Sequence, residues 1–171
     1  MDVEELKRML GLQPLAAEGG FYRKAYRSRE MLPATCLPSR YSGARCFGTA
    51  IYFLLTPESF SALHRLKSDE VYHFYLGDPV EALVLRADGS GEVLAVGSDL
   101  YRGLRPQAVI PAGAWQGSRL RAGGKFALLG TTVAPGFEFS DFELADREFL
   151  LAKYPDFSRM IRELTRAAKG D

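Results

Sequence analysis

The sequence predicts a mainly β barrel or sandwich of jelly-roll type, with a short helix before it and helices after it. Three observations predict this. Short apolar or alternating stretches recur through the middle of the chain, glycine-rich turns separate them, and no strand-helix alternation of a parallel sheet interrupts them.

The elements follow in order. Val3, Leu6 and Leu10 share one helical face, and Gly11 is placed to stop that helix, which is expected to pack against the barrel. After the turn at Glu18-Gly19-Gly20, strands are expected at Phe21–Arg27, Phe47–Leu55, Val71–Leu76, Val80–Leu85, Val93–Val96, Ala108–Ile110 and Phe126–Val133. Asp88-Gly89 between Val80–Leu85 and Val93–Val96, and Gly123-Gly124 between Ser118–Arg121 and Phe126–Val133, both read as hairpin turns. Near the C-terminus the period changes. Phe157, Met160, Ile161, Leu164 and Ala168 form an apolar stripe with Arg159, Arg162, Arg166 and Lys169 mostly off it, a helix expected to cover the barrel or a partner subunit. The reading is one domain over 1–171, with a barrel core at about 20–143 and C-terminal helices at about 145–168.

Composition narrows the function classes. With 171 residues, 47% of them apolar, the chain is long enough to bury a self-sufficient core. Lys and Arg total 22 against 21 Asp and Glu, and a net charge of +1 provides no field for nucleic acid or anionic lipid, so neither is expected as a partner. The first residues lack the apolar segment of a secretion signal, and no apolar run approaches the roughly 18 residues of a membrane span, so a soluble cytoplasmic protein is expected. Cys36 and Cys46 lack the paired spacing of a zinc site and read as reduced thiols.

The most informative stretch is His64-Arg-Leu-Lys-Ser-Asp-Glu70-Val-Tyr-His73-Phe-Tyr-Leu-Gly77, answered downstream by Pro111-Ala-Gly-Ala-Trp115-Gln116. The spacing from His64 through Glu70 to Gly77 resembles the first signature of the cupin barrel with one ligand replaced, and the proline-glycine stretch resembles the second with its histidine replaced. The stretches from Leu12 to Arg23, from Ser68 to Gly77 and from Ala134 to Leu144 resemble one cupin subfamily of unknown function, the cupin-5-type group (domain of unknown function 985). The resemblance implies a double-stranded β-helix barrel around a ligand-sized cavity, assembled as a homodimer.

Metal-binding cupins hold a divalent ion with three histidines and a glutamate, and this chain has only two histidines. On the cupin pattern His64 takes the first ligand position, Leu66 the second, Glu70 the third and Gln116 the fourth. No cofactor is therefore expected; any metal would rest on His64 and Glu70. Recruiting His73 would need a bulge, because strand alternation puts Glu70, Tyr72 and Phe74 on one face and Val71, His73 and Tyr75 on the other.

Without metal, His64 and Glu70 suit a proton-handling pair, a carboxylate fixing the tautomer and raising the basicity of an imidazole. They also suit a satisfied buried pair kept for structure. Tyr22, Tyr52, Tyr72 or Tyr75 supplies the complementary acid on the first reading, an arrangement similar to that of metal-free cupin sugar-nucleotide epimerases. Tyr22 and Arg23 face opposite ways, so one faces the cavity; Arg23 suits a substrate carboxylate or phosphate, or a surface ion pair. Trp115 is a ligand platform or core, Gln116 a neutral donor and acceptor for a polar ligand, and Glu138 an acid near the opening. Tyr52, His73 and Phe74 complete the candidate ligand contacts. Three functions follow in order: a metal-independent isomerase or epimerase on a small polar or sugar-derived substrate, a non-catalytic protein that binds or senses a small ligand, and a metal-dependent oxygenase.

Overall fold

The computed structural model describes residues 2–166. Helix α1, Val3–Leu10, carries Glu4 and Glu5 in its first turn and Lys7 and Arg8 in its last, complementing the dipole at each end. Gly11 ends it in the left-handed region at φ 61°, returning its N–H to helix carbonyls. Val3, Leu6 and Leu10 pack with Leu54 and Leu128 on the outside of the barrel.

Strands β1 (Gln13–Pro14), β2 (Phe21–Arg27), β5 (Thr49–Leu55), β7 (Asp69–Gly77), β10 (Gln107–Ile110) and β12 (Ala127–Ala134) form one sheet in the order β1-β2-β5-β12-β7-β10. Strands β6 (Phe60–Leu66), β8 (Val80–Leu85), β9 (Gly91–Val96), β11 (Trp115–Leu120) and β13 (Phe142–Leu144) form a second, in the order β13-β6-β11-β8-β9. A short antiparallel pair, β3 (Met31–Leu32) and β4 (Arg45–Cys46), stands apart. The ladders within both sheets are antiparallel, as the turn chemistry predicts, and the two sheets close on each other as a jelly roll.

Two expectations need correction. Asp88-Gly89 does turn a hairpin, with β8 and β9 paired from Val80↔Val96 to Leu85↔Gly91. Gly123-Gly124 does not: β11 pairs with β6 and β8 while β12 pairs with β5 and β7, so this turn passes the chain from one sheet to the other. Strand β6 is absent from the sequence-predicted set because Ser61 and His64 point inward, where an apolar pattern was sought. The predicted Phe47–Leu55 strand also breaks at Gly48, leaving β5 to start at Thr49.

Alternation sorts the side chains. Phe53, Leu55, Val84, Ile110 and Leu129 fill one end of the interior with hydrocarbon. The other end is polar, built from Ser61, His64, Glu70, Gln116 and Ser118, all buried. On the outside of the second sheet lie α2 (Arg147–Lys153), capped by the Asp146 carboxylate accepting from the Phe149 N–H, and α3 (Ser158–Glu163). Leu150, Tyr154, Ile161 and Leu164 press on Leu63, Leu85 and Trp115 there, so the C-terminal stripe covers the barrel. Of that stripe, Ala168, with Lys169 beside it, lies outside the described residues. Among the described residues no helix is long and apolar enough to cross a membrane. Cys36 is exposed, Cys46 is buried, and both are free thiols.

One ion pair ties the irregular segments together. Arg45 in β4 donates to both oxygens of Asp141, at 2.6 Å each, and to the carbonyls of Gly43 and Ala44. Its side chain is 4% exposed and that of Asp141 is 3%, so neither charge has water to fall back on. Asp141→Asn should lower the unfolding free energy by about 3 kcal/mol, seen as a drop in urea midpoint at unchanged m-value; a loss below about 1 kcal/mol would show the pair to be dispensable.

Candidate functional site

The site begins at the loop from Leu15 to Gly20. Leu15 and Gly19 close the loop on itself, Leu15 N–H to Gly20 O at 3.0 Å and Gly19 N–H to Leu15 O at 2.7 Å. The Ala62 N–H donates to the Glu18 carbonyl at 2.9 Å, which lays the loop flat against β6. Gly19 sits at φ 113° and Gly20 at φ 67°, and a Cβ on Gly19 would collide with the carbonyl of Phe60. The glycine pair is therefore what lets Glu18 turn into the barrel. There its Oε1 accepts from the Ser61 hydroxyl, and its Oε2 lies 4.0 Å from His64 Nε2.

His64 is oriented by its own strand. Its Nδ1 is 2.7 Å from the Ala62 carbonyl. A carbonyl only accepts, so Nδ1 carries the hydrogen and the Nε2 of the neutral ring presents a lone pair. The ring is stacked on Phe142, with centroids 5.0 Å apart and planes 27° apart. Glu70 faces the same space from β7, and its Oε2 accepts from Gln116 Nε2 at 2.6 Å across the interior. Burial raises the Glu70 pKa, the nearby Glu18 carboxylate raises it further, and His64, Thr131 and Gln116 offset part of that.

These groups floor a cavity of about 110 Å³ at the polar end of the barrel. That is smaller than the ~150 Å³ of a void that takes up benzene, room for a head group or short chain at the floor with any larger body extending toward the mouth. Leu15, Ile51, Leu66 and Val133 form aliphatic walls, with Tyr22, Phe137 and Phe142 adding aromatic ones. Exposed Lys24 and an Arg27–Glu138 ion pair stand at its mouth.

Comparison with known proteins places this geometry. The model of the Cupin superfamily (DUF985) matches residues 4–145. The chain belongs to this family. It is similar to a hypothetical protein from Leishmania major, at 31% identity and a TM-score of 0.88 over 98% of this chain and 100% of that one. It is also similar to protein SO0799 from Shewanella oneidensis, at 36% identity and a TM-score of 0.85 over 98% and 99%. The uncharacterized yeast protein YML079W from Saccharomyces cerevisiae is 28% identical over 132 residues, 72% of this chain and 66% of the yeast protein, so the match spans slightly less than two thirds of that relative.

Within the cupin frame the residues do not fit the superfamily's metal. Leu66 puts hydrocarbon on the cavity wall at the second ligand position, and the Gln116 amide is spent on Glu70 at the fourth. Among the described residues no three His, Cys, Asp or Glu side chains converge as a ligand set.

The structure brings together some of the predicted site and disperses the rest. His64, Glu70, Tyr22 and Glu138 line the cavity. The expected His64–Glu70 hydrogen-bonded pair is corrected: Glu18 is the carboxylate nearest His64, and Glu70 is bonded to Gln116 instead. Gln116 is thus a support behind the wall. Tyr72 is 1% exposed and lies behind the cavity near Ser61 and Ser118; burial, then Glu70 and Glu18, push its phenol well above the ordinary value. It keeps its proton and has no path to a ligand. Phe74 packs into the apolar end.

Arg23, Tyr52 and His73 face outward from the first sheet, opposite to their expected role. The Arg23 guanidinium lies 5.6 Å from the Tyr52 ring, which meets Tyr75 edge-on. His73 accepts from Gln107 at Nδ1 and reaches Thr132 with Nε2, as strand alternation implies. Trp115 faces the C-terminal helices, with Arg65 stacked 4.5 Å over it. Sequence reasoning took Glu18 for a turn residue; the signal that marks it is an acid set before two glycines forced to positive φ.

Two predictions follow from this geometry. Gly19→Ala should cost about 2 kcal/mol or more, from φ strain and the clash with Phe60, checked by urea unfolding; an unchanged midpoint would refute the account of the loop. A carboxyl held above its unfolded value near 4.5 contributes stability fully at lower pH and loses it as pH rises through the folded value. Glu70→Gln keeps the bond to Gln116 and removes that loss, so its stability relative to wild type should grow as pH rises from about 4.5 through the raised folded value of Glu70. A stability difference that is flat or reversed across that range would contradict the upward shift.

Proposed function

We propose that this chain binds a small organic molecule in the barrel cavity and moves a proton on it, as a metal-independent isomerase or epimerase. The observation that carries the reading is the commitment of His64 Nδ1–H to the Ala62 carbonyl, which leaves the Nε2 lone pair directed at the side of the site where Glu18 stands. A base so oriented takes a proton from a carbon beside a carbonyl: the C–H bond breaks, an N–H bond forms at Nε2, and the electron pair moves into the carbonyl to give an enolate. Glu18, 4.0 Å away, favours the imidazolium that results. The proton returns to the same carbon from Nε2, or the Tyr22 hydroxyl delivers one from another wall, which inverts the centre.

Support also comes from the division of the cavity into a polar floor and apolar walls, the arrangement of sites that orient small ligands. The test is solvent deuterium wash-in, followed by NMR, with hexoses, uronic acids and amino sugars as probes. Wild type should exchange the hydrogen beside the carbonyl of at least one probe, and His64→Ala should slow that exchange about 100-fold or more while leaving probe binding measurable. A probe that binds without exchange would replace catalysis with sequestration or sensing. Absence of binding by every probe would remove the sugar-derived substrate class.

A further inference from the structure

We propose that the ligand of this cavity carries a protonated amine, seated with its nitrogen at the carboxylate floor and its carbon body between the aliphatic and aromatic walls. The proposal rests on the reading of the cavity as a small-molecule site and adds the chemistry of the molecule.

The argument is an inventory of donors and acceptors. At the floor stand the carboxylate of Glu18, the carboxyl of Glu70 and the lone pair of His64 Nε2. Of the nearby donors, the Ser61 hydroxyl is spent on Glu18, the Gln116 amide on Glu70 and the His64 Nδ1–H on a backbone carbonyl, which leaves the neutral hydroxyls of Tyr22 and Thr131 on the cavity wall and no cationic donor at the floor. The floor is thus rich in acceptors, and a buried acceptor left without a proton is unfavourable. A hydroxyl brings one proton to this deficit; an ammonium brings three and a compensating charge.

Charge points the same way. The cations of the cavity stand at its mouth, where Lys24 is exposed and Arg27 is tied to Glu138. Neither makes a salt bridge to Glu18 or Glu70. Of the groups lining the floor, only His64 is able to become cationic, against two carboxyls. An anion at the floor would meet the Glu18 carboxylate and the buried Glu70 carboxyl with no guanidinium or ammonium beside them, whereas a cation is favoured there. Tyr22, Phe137 and Phe142 add aromatic rings to the walls, a residue type that attracts an organic cation. A ligand with an acid group as well would direct it outward, toward Lys24.

Calorimetric titration of the full chain at about pH 7.5 with benzylamine, benzyl alcohol and benzoate tests this, because the three share one ring and differ in the head group, and the amine is fully protonated there. Benzylamine should bind at least about tenfold more tightly than either of the others. Glu18→Gln, which keeps shape and removes charge, should abolish that preference while changing the benzyl alcohol affinity less than about threefold; far-ultraviolet circular dichroism confirms its fold. Equal or tighter binding of the alcohol or benzoate, or an amine preference that survives both Glu18→Gln and Glu70→Gln, would overturn the proposal. Binding of the alcohol in the cavity, seen as NMR shifts at Phe142 and His64, would leave the small-molecule reading standing after such a failure. Absence of binding by all three would overturn the amine assignment and count against the pocket itself.

Discussion

The 2.6 Å hydrogen bond from Gln116 to Glu70 spans the two sheets at the depth where the barrel changes from hydrocarbon to polar, and the site is organised around it. Glu70 belongs to the first sheet and Gln116 to the second. Removing an ionised carboxylate from water costs several kcal/mol, and one hydrogen bond to a charged group returns only about 1.5–3 kcal/mol. The amide does not balance the burial alone. The remainder shows as the rise in the Glu70 pKa, which is how a buried acid meets a penalty that its neighbours cannot remove. The structure keeps the acid where an apolar residue of similar volume would pack at no such cost.

The walls around that acid depend on two irregular segments that the regular ladders do not hold. Leu15 to Gly20 is carried on β6 by one backbone hydrogen bond and two glycines, and the Arg166 guanidinium also donates to the Ala16 carbonyl at 2.9 Å. The C-terminal segment therefore reaches the loop that supplies Glu18. Across the cavity, the run from Phe137 to Phe142 is anchored by the Arg45–Asp141 pair. Arg45, Asp141, Arg166 and the two glycines stand outside the cavity lining, while Arg27 and Thr49, which hold Glu138 and the Phe137 N–H, belong to it. The site owes its shape to charge pairs and glycines that a survey of cavity residues alone would miss.

This division explains what was legible in the sequence. Strand alternation correctly separated Glu70 from His73, because an inward and an outward residue differ by one position whatever the tertiary packing. The helical stripes of Val3, Leu6 and Leu10 and of Ile161 and Leu164 were legible for the same reason: each repeats within a few residues. The partner of His64 was not. Glu18 reaches it from a separate element, and no local period encodes a contact between a loop and a strand so far apart in the chain. The Gly123-Gly124 turn failed similarly, since glycines mark that the chain reverses and do not say into which sheet it goes. Arg23 and Tyr52 are register partners and share the outward face, which alternation alone does not reveal because it depends on which side the second sheet lies.

The exchange of two cupin ligand positions for Leu66 and Gln116 has a consistent electrostatic meaning. In a metal-binding cupin the dication neutralises the glutamate and holds the imidazoles together. Here a hydrocarbon and a neutral amide stand at those positions, while Glu70 remains and Glu18 adds a second carboxyl from outside the cupin signature. A barrel selected for packing alone would lose the first acid along with the ligands and would gain nothing from the second. Two carboxyls left facing one imidazole in an enclosed space make a field that favours positive charge, whether that charge forms on His64 as it takes a proton or arrives on a ligand. Both readings of the site draw on that same field, and they part only on where the cation sits.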